Sequence, residues 1–133
     1  MEKSTPTSLL KFIDNRAISG REDKFITVMV AVAPVLASWK DSLFAHEWLT
    51  KDGRPKPIDQ LSDAAREKRE LAETLFTKGD ALERPVLGLG IMDNLEIGAG
   101  KDVLITLAAH DIDVASVHIP KSHIDDFKIF IKS

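Results

Sequence analysis

The sequence predicts an α/β fold, and three observations carry that expectation. Val86-Leu87-Gly88-Leu89-Gly90-Ile91 is an apolar run of strand length. A segment with helical spacing follows, from Asn94 to His110. A second apolar run, Val114-Ala115-Ser116-Val117-His118-Ile119, comes after it. Strand-length apolar runs separated by a helical period read as a βαβ unit, with glycines at the strand-to-helix turn. Such a turn is where α/β folds usually keep their ligands. The chain has 133 residues, which predicts a single α/β domain over 1–133 with helices packed on a short sheet.

Taken in order, residues 7–18 predict a short helix. Leu9, Leu10, Ile13 and Ala17 recur at helical spacing, and Ser19-Gly20 is a stop signal. Phe25 to Val32 is rich in β-branched residues and suits a buried strand. The same stretch also fits a helical stripe of Phe25, Val28, Met29, Val32, Leu36, Trp39 and Leu43, which Pro34 would kink. The strand is preferred for 25–32, and a helix is expected over 35–49. Lys51 to Pro57 holds a glycine and two prolines and reads as a loop.

A helix is expected at 60–78, with Asp59 as N-cap and Gly79 at the stop. Its apolar stripe of Leu61, Ala64, Ala65, Leu71, Ala72, Leu75 and Phe76 is interrupted by Lys68. In the βαβ unit, Asp93 and Glu96 match an acidic capping box for a helix over 94–110. Gly98 and Gly100 inside that helix would each cost about 1 kcal/mol relative to alanine. Two other readings start the helix at Gly100 with 95–97 as a short strand, or pair 103–108 with 114–119 as a hairpin. A final helix is expected at 122–131, capped by Ser122.

Composition removes several function classes. The formal net charge is −3 and no basic footprint spans the chain, so nucleic acid is not the expected partner. Lys11, Arg16, Arg21 and Lys24, and the loop Lys51, Arg54 and Lys56, are the local basic clusters. Cysteine is absent, which excludes disulfides, thiolate catalysis and cysteine-ligated zinc. The first residues lack the apolar core of a secretory signal, and no apolar run reaches the ~20 residues a membrane helix needs. A cytoplasmic protein with no membrane contact is the expectation.

Each near-motif fails at a defining position. Gly88-Leu89-Gly90-Ile91-Met92-Asp93 places a carboxylate where a dinucleotide fingerprint has its third glycine. Gly98-Ala99-Gly100-Lys101-Asp102 ends like a phosphate loop, but Leu95 replaces its first glycine and Asp102 its hydroxyl residue. His46-Glu47 lacks a second histidine, because Thr50 stands there. His110, His118 and His123 lie among Asp111, Asp113, Asp125 and Asp126, but their spacing matches no metal motif. No cofactor and no metal are expected.

Two functional expectations remain. The first is a small interaction or regulatory protein without catalysis, self-associating, with Trp48 as a candidate interface anchor. The alternative is a binding protein or enzyme for an anionic or phosphate-bearing small ligand at the turn around 88–101. There Asp93, Lys101, His118 and Lys121 would converge, with Asp93 or His118 as acid or base and Lys101 as the anion anchor.

Overall fold

The computed structural model describes residues 10–42, 44–90 and 94–132. The fold is α/β, as the sequence predicts. In chain order the elements are β1 (Phe12–Ile13), β2 (Phe25–Ala31), α1 (Val32–Trp39), α2 (Asp63–Lys78), β3 (Leu82–Glu83), β4 (Val86–Leu89), β5 (Leu95–Ala99), α3 (Lys101–Ala109) and β6 (Val114–Pro120). Four strands form one sheet in the order β2-β6-β4-β5, and β1 pairs with β3 separately. β6 is antiparallel to β2, with Thr27 opposite His118, and parallel to β4, with Val86 opposite His118. The strands expected at 86–91 and 114–119 are Val86–Leu89 and Val114–Pro120, parallel to each other, with a strand as well as a helix in the link between them; Ile91 lies outside the described residues.

β6 sits inside the sheet because it is apolar enough to be covered on both sides. Ala115 through Ile119 are all buried, as a continuous run predicts. Ala115, Val117 and Ile119 face the helices and meet Leu87, Ile97, Val35, Trp39, Leu104 and Leu107 in the core. Ser116 and His118 alternate to the other face. That face is not open: the segment around Asn15, with Arg84, lies over both residues. The outer edge of β2 is covered at its end, over Met29–Ala31. Ile131 bridges Val30, Ala31 N–H donates to the Phe130 carbonyl and Lys132 N–H to the Met29 carbonyl.

Several boundaries differ from the sequence reading, each for a local reason. Residues 25–31 are the strand, and Pro34 falls in the first turn of α1, where a missing N–H costs nothing. The helix expected over 35–49 ends at Trp39 and resumes only as a 3-10 turn at Ala45–Glu47. Ser42 explains the break: its Oγ accepts the Phe44 N–H and donates to Glu96, an alternative to helical bonding. The helix expected over 7–18 is not formed in its described part. Phe12–Ile13 pairs with β3, and Asn15 caps a 3-10 turn at Arg16–Ile18.

α2 starts later than expected, and its cap is Ser62, not Asp59. Ser62 Oγ accepts the Ala65 N–H, while Ile58–Gln60 forms a separate 3-10 turn. Gly79 ends the helix in the left-handed region, as expected. The helix over 94–110 is the largest correction. Leu95–Ala99 forms a hairpin with β4, and the helix begins at Lys101, which is the reading that starts it at Gly100. Gly100 has φ of +84° and packs on Pro85. Its conformation makes the corner that a helix through this residue would forbid. The expected helix at 122–131 is instead a 3-10 segment, Lys121–Phe127, broken at His123. Burial of Phe127 and Phe130 and pairing with β2 override its helical spacing. Among the described residues, no helix is long and apolar enough to cross a membrane.

Candidate functional site

A concavity lies where α2 and α3 begin. The two helices run side by side in the same direction, because their contacts advance together along both. Arg69 Nη1 donates to Thr106 Oγ1 (3.1 Å), and one turn on Glu73 Oε2 is 2.7 Å from His110 Nε2 while Phe76 stacks on the same imidazole. Their amino-terminal ends therefore flank one cleft of about 590 Å³. Lys68 stands on the α2 side, Lys101 and Asp102 on the α3 side, and Trp48 and Glu47 close it from the 3-10 turn. A second space of about 330 Å³ adjoins it beyond Ala99, Gly100 and Asp102 and is bounded by Asn15, Arg16 and Glu83.

Helix amino termini carry partial positive charge, and here each is already matched by a carboxylate. Glu47 accepts from the hydroxyl of Ser62, the α2 cap, at 2.6 Å. The Asp102 carboxylate, in the first turn of α3, faces its own backbone N–H and that of Val103. The cleft's remaining positive charge therefore resides on the Lys68 and Lys101 ammonium groups.

Burial holds the Asp102 carboxyl above the usual carboxylate range, an effect that its backbone bonds and the charge of Lys68 oppose and that of Glu83 reinforces. The folded protein thus keeps this proton to higher pH than the unfolded chain. The associated stability is present in acid and is lost as pH rises from the ordinary value of about 3.9 through the folded one. Asp102→Asn is therefore expected to raise Tm at neutral pH, with a gain that shrinks toward acid pH. Thermal unfolding of both proteins across pH checks it, and a lower Tm for the variant at neutral pH would count against it.

Of the residues singled out from sequence, the structure brings Trp48 and Lys101 together. Trp48 is only 4% exposed and lines the cleft; it does not stand out from the surface. Asp93 lies outside the described residues. Lys121 is exposed just after β6. Ladder register places Ala99, Val86 and His118 in one row, so Lys101 starts close to His118 in the sheet. The two do not converge, because α3 leads to one face and the imidazole turns to the other. Lys68, Glu47 and Asp102 were not singled out as site residues. Lys68 carried a signal, since it breaks an otherwise apolar stripe.

His118 has its own polar setting. Nε2 accepts the Asn15 backbone N–H (3.2 Å), so the ring proton sits on Nδ1 and donates to Thr27 Oγ1 (3.3 Å). Asp14 Oδ1 lies 3.9 Å from Nε2 and is paired at 2.7 Å with Arg84 Nη1. Thr27, His118 and Asp14 superficially form a hydroxyl–imidazole–carboxylate series. The tautomer is the wrong one: Nδ1 gives a proton to the hydroxyl and cannot take one from it. Both ring nitrogens are engaged, so the resting imidazole offers no free base.

Among the described residues, no group of three or more His, Cys, Asp or Glu side chains is placed to hold a metal ion. No family model matches the chain, and no curated protein and no solved structure matches it either.

Proposed function

We propose that this chain is a non-catalytic binding protein for a small anionic ligand, a carboxylate or phosphate ester, held in the cleft at the start of α2 and α3. One observation carries the reading: Lys68 and Lys101, from two different helices, line the same cleft, with the buried Trp48 on its wall. Its volume, about 590 Å³, falls in the range of small-molecule sites. The described lining holds no hydroxyl, thiol or imidazole, so a serine-, cysteine- or histidine-centred covalent mechanism has no nucleophile there. A cysteine-free chain of this kind fits a cytoplasmic setting.

Phe44 favours a second reading. It is 67% exposed and lies on the cleft's lining, so the cleft would receive a protein partner or a second copy of this chain.

Thermal unfolding against sugar phosphates, nucleotides and dicarboxylates separates the two. A ligand at about a hundred times its Kd adds about 2.7 kcal/mol, a rise of several degrees in Tm. Lys68→Ala and Lys101→Ala should each weaken binding about tenfold or more, the scale of a charged hydrogen bond, while leaving the free protein's Tm nearly unchanged. A flat panel together with a concentration-dependent dimer in sedimentation would favour the second reading. A flat panel with a strict monomer would remove the ligand reading and the second copy, and leave only a different protein as the occupant.

A further inference from the structure

A short stretch of chain passes over His118, on the side of β6 turned away from the core. Residues 11–18 touch the rest of the molecule through Lys11 and Ile13, whose carbonyls accept the Leu82 and Arg84 N–H groups at 2.8 and 2.9 Å. Asn15 adds two bonds, Nδ2 to the Arg84 carbonyl (2.9 Å) and its backbone N–H to His118 Nε2. The Asp14–Arg84 and Arg16–Glu83 ion pairs, Phe12 packed against the core and the buried side chain of Ile18 complete the attachment. Asn15 is itself only 5% exposed, so its N–H has no ready exchange for water.

We propose that residues 11–18 form a strap latched by the neutral imidazole of His118, and that protonation of His118 releases the strap. The proposal does not rest on the ligand reading of the cleft. A proton on Nε2 sets N–H against N–H at the Asn15 contact, replacing a buried hydrogen bond by two opposed donors. The charged groups bearing on the ring are Asp14, within the strap, and Arg84, between β3 and β4; β2 contributes only the Thr27 hydroxyl. Burial pulls the imidazole below the ordinary histidine range; the nearby Asp14 opposes this and Arg84 adds to it. The latch therefore holds at neutral pH and yields in acid. Asn15 and Arg16 also bound the smaller space beside Asp102, so release of the strap widens it.

The test is hydrogen exchange on the intact protein, read as protection factors at pH about 7.5 and about 4.5, which correct for intrinsic rates. The amides of Asn15, Ala17, Leu82 and Arg84 are expected to lose protection by about tenfold or more in acid, while those of α3 keep theirs. Histidine nitrogen shifts should show the Nδ1–H tautomer at neutral pH. His118→Phe removes the acceptor, so strap exchange should be fast and independent of pH. If that variant does not fold, Asp14→Asn serves at an exposed position. Removing this carboxylate also breaks the Asp14–Arg84 pair and lowers protection at every pH, but the midpoint of the pH-dependent release should still move to lower pH. Equal protection at both pH values, tighter protection in acid through a new His118–Asp14 bond, or an Nε2–H tautomer at neutral pH would each overturn the proposal.

Discussion

Gly100→Ala is expected to destabilise the protein by about 3 kcal/mol or more, at the upper end of what single substitutions do. Two costs coincide there. Gly100 has φ of +84°, and a residue with a Cβ pays roughly 1–2 kcal/mol to stay in the left-handed region. An added Cβ would also lie 2.6 Å from Pro85 Cα and 3.0 Å from its Cβ. The first of these is backbone, which cannot swing aside. Pro85 is in turn held in the sheet, since its carbonyl accepts the His118 N–H. The strain would thus pass into the ladder between β4 and β6. Gly79→Ala is the control: φ is +74°, but a Cβ would meet nothing within 4 Å, so only the conformational cost remains. Denaturant unfolding of the two variants measures the difference. Equal losses would show that the approach to Pro85 does not matter.

Trp39→Ala is expected to cost about 3–5 kcal/mol, the range for deleting a large buried aromatic side chain. Trp39 is 0% exposed and belongs to the core between α1 and the sheet. Trp39→Phe should cost far less than its change in size suggests. The indole Nε1 is buried and has no hydrogen-bond partner among the described residues. An unsatisfied buried donor costs about 1–3 kcal/mol, and phenylalanine removes it, offsetting part of the lost packing. Urea unfolding of both variants checks the contrast. A loss for phenylalanine as large as that for alanine would mean the indole N–H contributes after all, through a bound water.

What the sequence disclosed depended on the range of the deciding interaction. β4 and β6 were visible because apolar runs need burial wherever they sit. The helix across 94–110 misled because Leu95, Ala99, Val103 and Leu107 keep helical spacing through the corner at Gly100. The two glycines were the right warning, though only Gly100 makes the corner, through contact with Pro85, distant in helical terms and close in space. The segment 121–131 carries helical spacing too, and its outcome was decided by pairing with Val30, which no local pattern encodes. The cleft followed the same rule. Lys68 was conspicuous as a charge within an apolar stripe. That Lys101 would share a wall with Trp48 depended on the parallel docking of α2 and α3, which periodicity within either helix does not reveal.

The position of β6 has a consequence for how the chain is made. It is an interior strand of the sheet, yet it is synthesised after every other described strand. Thr27 waits for His118, 91 residues downstream. While the ribosome works through the intervening helices, β2 has no neighbour and the β4–β5 hairpin shows one bare edge. Contacts of such sequence separation are slow to form, and strands left unpaired in the meantime invite association with other nascent chains. A chain broken before Val114 would therefore leave a lone strand and a hairpin that cannot join, and quality control should meet such products as aggregates or degrade them early.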